Sequence, residues 1–278
     1  MSADSAFPAA YVFLIYGCSH LVILGTVISW IPPERGRLAG LLLGSFRLSP
    51  SVSCKLLILI EVFLAADNAR LFLGALPTLA LKADGLFQFV VFGHVMGTPL
   101  LLVILAQCFQ EIKTRSSDLA GVAAARRHML LTKRFGNALI GAATVLMLCG
   151  VVYLRTIGNP YPSACGQLAF LTETKPGTAP SPLSLVGVTV TCVLSLACGL
   201  TATCQHVSPV GSWKVFACLN LTRFVGESVA PICGACMALA GNFFEVLLSF
   251  AYAYLLRSIM LLPDGNRNAQ NTILEVDS

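Results

Sequence analysis

Charge is what this 278-residue chain has least of: 11% of its residues are Asp, Glu, Lys or Arg, where soluble domains carry about a quarter. A water-facing surface cannot be built at that density, so a soluble globular domain is excluded. Sustained alternation of apolar and polar residues is also missing, which argues against a transmembrane β-barrel. The chain has no GxGxxG, P-loop or GxSxG pattern, and no HxxE, HExxH or histidine cluster to suggest a metal. An aspartate-rich magnesium–diphosphate motif is absent too, since Asp67-Asn68-Ala69-Arg70 offers a single carboxylate. The N-terminus lacks a basic region before its first apolar run, so that run reads as a retained span and not a cleaved signal. No internal repeat or heptad pattern stands out.

What is present is hydrophobic. Apolar residues make up 56% of the chain, and mean hydropathy is +0.80. Runs of about 20 apolar residues, the length that crosses a bilayer, recur throughout. They predict an all-α, polytopic transmembrane bundle of seven spans over residues 1–262, with a polar cytoplasmic tail at 263–278. The expected spans are Ala10–Ile31, Lys55–Leu81, Leu86–Phe109, Phe135–Leu154, Leu183–Gln205, Trp213–Met237 and Leu239–Leu262, with a tight turn at Lys82–Gly85. Thirteen Lys and Arg residues fall on one side of this topology and three on the other. The positive-inside rule then puts the N-terminus outside or in the lumen and the C-terminus in the cytoplasm. The same topology accounts for the net charge of +5 without nucleic acid as a partner. The lipid bilayer is the expected one. Most of the eleven cysteines lie in or beside apolar segments, where Cys acts as a small hydrophobe. Cys233 and Cys236 form a lone CxxC with no second pair to complete a site.

The second span carries Glu61, Asp67, Asn68 and Arg70 in its middle. Each ionised group at that depth costs about 2.5–3.5 kcal/mol on insertion scales, so these must face protein or a wet cavity. Residues three and four apart share a helix face, so Asp67 can pair with Arg70, and Arg223 with Glu227. Glu61 and Glu245 are then left without a basic partner. An unpaired carboxyl in low dielectric stays protonated, and a neutral buried acid is a proton donor. Asn242 and Glu245 begin a polar stripe on the last span, His94 joins from the third, and His20 on the first is read as an interhelical hydrogen-bonding group. Buried ion pairs also fix helix packing with no chemistry attached.

Three functions fit: an enzyme acting on a lipid-like substrate, a proton-coupled transporter, and a non-catalytic seven-span protein. The last span has no lysine for a retinal Schiff base and no NPxxY turn, against a rhodopsin or receptor. Glu61…Asp67-Asn68-Ala69-Arg70 on the second span and Gly241-Asn242-Phe243-Phe244-Glu245 at the start of the last resemble the membrane-bound terpene cyclases of fungal meroterpenoid pathways, the ascochlorin and macrophorin kind. The resemblance implies cyclisation of a farnesyl chain, often terminally epoxidised, started by protonation and needing no metal or nucleotide cofactor. It also implies a hydrophobic isoprenoid-type substrate and the endoplasmic reticulum membrane. The expected acids are Glu61 and Asp67, then Glu227 and Glu245. Asn68, Arg70, His94, Arg223 and Asn242 are expected to orient them or the substrate, with phenylalanines such as Phe63 facing carbocations.

Overall fold

The computed structural model of the protein describes residues 3–31, 50–74, 80–117, 129–154, 182–229 and 237–262. Among them are seven α-helices, one 3-10 turn at Met129–Leu131, and no strand. The helices are α1 (Ala3–Ser29), α2 (Pro50–Gly74), α3 (Ala80–Ser117), α4 (Lys133–Leu154), α5 (Pro182–Cys204), α6 (Val210–Val229) and α7 (Met237–Met260). In lipid a helix satisfies its own backbone, and the apolar content of these segments leaves little else to decide.

Five of the helices (α1, α3, α4, α5 and α7) contain stretches long and apolar enough to cross a membrane. The other two, α2 and α6, match them in length, at 25 and 20 residues, but carry the buried charges. The outer surface is apolar: Ile15, Val22, Val62, Leu148, Val193 and Phe250 are all exposed. Polar groups, including His20, Glu61, Asp67, Arg70 and Arg223, are buried instead. Apolar outside and charged inside is the arrangement of a multi-pass membrane protein.

Each helix packs on the next in sequence and α7 returns to α1, closing a ring. The helix α3 also packs on α5 and α7, so it runs through the middle. Contacts at one end fix the alternation. Arg257 of α7 lies over the Trp30 ring just past α1, 5.5 Å from its centroid. Cys54 at the start of α2 meets Met260, with sulfurs 3.9 Å apart. Arg115 near the end of α3 donates to the Leu262 carbonyl at 2.6 Å. We call this the C-terminal end of the bundle. Within a bilayer there is no hydrophobic drive between helices, so close packing has to hold them. Gly93 shows how close: a Cβ there would lie 2.2 Å from the Phe63 ring.

The structure corrects the third span. The helix starts at Ala80 and ends at Ser117, so Lys82–Gly85 is helical and not a turn. Ala80, Leu81, Lys82 and Ala83 are good helix formers, and one glycine costs only about 1 kcal/mol. At the other end Glu111 and Arg115 pair one turn apart at 2.8 Å, which carries the helix past the apolar run. Thr132 then caps α4, accepting from the Phe135 N–H at 3.2 Å. The 155–181 connection, the CxxC and the 263–278 tail lie outside the described residues. The eight described cysteines are all free thiols.

Candidate functional site

The buried charges converge where α2, α3 and α7 meet. Asp67 is fully buried on α2 and uses both carboxylate oxygens. Arg70, one turn on, donates to Oδ1 from Nε at 3.2 Å and from Nη2 at 3.1 Å. The pairing expected from the i,i+3 spacing therefore forms. Oδ2 faces Nε2 of His94 on α3 at 3.0 Å. The other ring nitrogen of His94, Nδ1, lies 3.8 Å from Oε1 of Glu245 on α7. A carboxylate–imidazole–carboxylate chain thus joins three helices. Its inner end is sealed, whereas the His94 and Glu245 side chains are 19% and 21% exposed.

The exposed end opens into a pocket between α2, α3, α6 and α7. Its polar lining comes from His94, Thr98, Arg223, Glu245 and Ser249, and its apolar lining includes Phe63, Leu64 and Leu248. The pocket holds about 420 Å³ of empty space, its open side included, but water centres have only about 20 Å³ of room. That admits a single ordered water, which needs about 10–15 Å³.

A second polar contact lies on the other face of α2. Nδ1 of His20 on α1 is 2.7 Å from Oε2 of Glu61, and both side chains are fully buried. The structure therefore corrects the expectation that Glu61 and Glu245 lack basic partners: each has an imidazole beside it. Those partners sit on neighbouring helices, at sequence distances no face-sharing rule reaches. His20 does make the interhelical hydrogen bond expected of it. Asn68 shares the Glu61 face as the seven-residue spacing requires, and packs opposite Gly17 of α1. A Cβ at Gly17 would lie 3.5 Å from Asn68, an ordinary van der Waals contact, so the two helices meet closely there without glycine being required.

The remaining expected residues divide. Arg223 and Glu245 line the pocket, and Asn242 is buried one turn before Glu245. Glu227 lies within α6, but its side chain is outside the described ones, so its pairing with Arg223 is too. Phe63 lines the pocket as expected, while Phe224 of α6 and Phe243 of α7 are exposed on the outer surface. His20 is the residue that sequence reasoning undervalued. The signal was there: Glu61 needed a partner, and His20 is one of only four histidines.

Ligand atoms of Asp67, His94 and Glu245 all lie within 4.8 Å of one another, close enough to share a metal ion. The surroundings oppose a cation, because Arg70 already holds Asp67 and Arg223 lines the same pocket. The donor set suits a proton better. With Arg70 donating to Oδ1 of Asp67, an Asp67 carboxylate would favour the His94 tautomer with its proton on Nε2, which turns Nδ1 toward Glu245 as an acceptor.

Comparisons of the chain with models of known families, with curated proteins and with solved structures find no match.

Proposed function

We propose that this protein is an integral-membrane enzyme that protonates an apolar, isoprenoid-type substrate, and specifically a terpene cyclase acting on a farnesyl or epoxyfarnesyl chain. The observation that carries the reading is the Asp67–His94–Glu245 chain, which ends at a pocket partly walled by Phe63. Glu245 reaches the pocket and is the proton donor. His94 takes and returns its proton through Nδ1, and Asp67, held by Arg70, sets the imidazole tautomer. Protonation of an epoxide oxygen or alkene starts ring closure; loss of a proton from the last carbocation ends it, so the reaction is an isomerisation. Phe63 offers a π face to the cations. Substrate pockets span about 300–1,000 Å³, so binding has to displace the wall that now leaves room for one water. All seven helices span the membrane in this reading, with the N-terminus lumenal, the C-terminus cytoplasmic, and the endoplasmic reticulum as host membrane.

The test is conversion of an epoxyfarnesyl-phenol by microsomes carrying the full chain. Glu245→Gln and Asp67→Asn are each expected to lower product formation by about 100-fold or more, in the range of lost general-acid catalysis, at unchanged protein level. Full activity in Glu61→Gln, Asp67→Asn, Glu227→Gln and Glu245→Gln alike would end the cyclase reading. A titratable chain running from an exposed rim to a buried carboxylate also suits a proton-coupled transporter. That alternative predicts substrate-driven proton flux in liposomes with the substrate chemically unchanged.

A further inference from the structure

The apolar lining of the pocket is buried at Ile60, Leu64, Leu101 and Leu248, and among the described residues its one half-buried apolar side chain is Phe63. That ring is continuous with others on α3. Its centroid lies 4.9 Å from Phe89 and 6.4 Å from Phe92. Phe89 and Phe92 are 47% and 46% exposed, as part of the apolar outer surface. Three aromatic rings therefore run without a break from the outside of the α2–α3 seam to the pocket wall.

Beneath the Phe63 ring α3 presents glycine. Gly93 and Gly97 both line the pocket, and a Cβ at Gly93 would overlap the Phe63 ring. At Gly97 the nearest atom of α2 is Ile60 Cγ1, 3.7 Å from where a Cβ would stand. The seam is thus closed by one ring resting on bare backbone. The pocket's other approach crosses a half-buried polar rim of His94, Thr98 and Glu245. An apolar chain passing there strips water from an imidazole and a carboxylate and returns no hydrogen bond, which is costly. Past Phe63 it meets only rings and aliphatic groups.

We infer that the α2–α3 seam is a membrane-side entrance and binding site for a linear isoprenoid chain dissolved in the bilayer, with Phe63 as its gate. The chain lies first against Phe89 and Phe92. It enters the pocket when the Phe63 ring turns off Gly93, with no separation of the two helices. Phe63 is then the wall that substrate displaces in a pocket with room for a single water. This entrance rests on the isoprenoid substrate proposed above and on α2 and α3 spanning the bilayer. It gives the two sides of the pocket separate tasks: substrate arrives from lipid past Phe63, and the polar rim of His94 and Glu245 stays clear of its path.

The test is capture of photoreactive probes by the full chain in lipid nanodiscs, read by mass spectrometry of the labelled peptides. One probe is farnesol carrying a diazirine. A second is a phospholipid with the same farnesyl group in place of one acyl chain, so that it cannot leave the bilayer. Both should label the pocket as well as Phe89 and Phe92, whereas a phospholipid with a saturated diazirine chain should label Phe89 and Phe92 alone. Binding that waits on a conformational change is slow to associate, so Phe63→Ala should speed both capture and release by about tenfold. Phe63→Trp should slow both, and where it fails to fold Phe63→Ala decides. Phe250→Trp, the same change at an exposed position of α7, should alter neither. Faster release with unchanged capture in Phe63→Ala would make the ring a wall and overturn the gate. Labelling of the pocket by free farnesol but not by the tethered chain would put the entrance at the polar rim instead. Equal entry of the saturated lipid, or no capture of either farnesyl probe by the wild type, would also end the proposal. Capture without conversion in the epoxyfarnesyl-phenol assay would sink the cyclase reading and leave the entrance standing.

Discussion

The bundle has two interiors. Around His94 it is ionic: Asp67, Arg70 and Glu245 meet there, with His20 and Glu61 on the far side of α2. Toward the C-terminal end it is aromatic. Trp213 of α6 stacks on Phe109 of α3 at 5.0 Å and 6°, and Phe216 stands edge-on to both Trp213 and Tyr252 of α7. The aromatic half is held by shape, where no ring leaves a charge behind when its neighbour is removed. The ionic half is held by charge balance, where no group can be removed without exposing its partner. Among the described residues, the carboxylates and imidazoles that line or back the pocket belong to the ionic half, so the proposed chemistry and the aromatic packing fall at different ends of one bundle.

The sharpest way to break the comparison is to delete from each half and then delete the partner too. Trp213→Ala removes a fully buried ring and is expected to cost about 3–5 kcal/mol. Arg70→Gln leaves Asp67 buried without its cation, also at about 3–5 kcal/mol. The double changes should diverge. Adding Phe109→Ala to Trp213→Ala should lower stability further. Adding Asp67→Asn to Arg70→Gln should restore part of the loss, because two neutral amides replace a stranded charge. Thermal unfolding in detergent measures both. If the second ionic change also lowers stability further, the ionic half is ordinary packing.

The two halves were not equally legible in the sequence. The Asp67–Arg70 pair follows from three-residue spacing alone, and Asn68 beside Glu61 from seven. The helical, membrane-embedded class follows from the scarcity of charge. What could not be read was everything that depends on which helix touches which. His20 and Glu61 are 41 positions apart, and no periodicity links them. The central place of α3 is equally hidden, although more than half of its span is buried, against 17% for α1. Two apolar spans of similar hydropathy look alike until one is surrounded. The aromatic half went unread for the same reason, since Trp213, Phe109 and Tyr252 come from three helices and resemble lipid-facing rings.

Another effect sits within the ionic half, at the pocket wall. Gly93 lies under the Phe63 ring, with no room for a methyl group. Gly93→Ala is expected to cost about 1–3 kcal/mol through overpacking, and it should push Phe63 toward the pocket it lines. Under the cyclase reading it therefore raises KM for a farnesyl-length substrate more than it lowers kcat. A loss of stability with unchanged KM would place the Phe63 ring outside the substrate path.

The smallest effect tests whether the aromatic half is as apolar in energy as in composition. A buried side-chain hydrogen bond there joins Ser195 of α5 and the Tyr252 hydroxyl at 2.8 Å. Ser195→Ala leaves that hydroxyl buried without its partner, at an expected cost of about 1–3 kcal/mol. Tyr252→Phe leaves the serine unpaired, although a serine hydroxyl in a helix can turn back to a carbonyl four residues earlier, so its cost should be lower. With both changes the polar pair is gone, its shape nearly kept, and stability should return to within about 1 kcal/mol of the wild type. Neither single change should alter proton chemistry at His94, which lies in the other interior. If Tyr252→Phe did slow product formation at unchanged stability, the two interiors would be coupled along α7, where Tyr252 and Glu245 lie two turns apart.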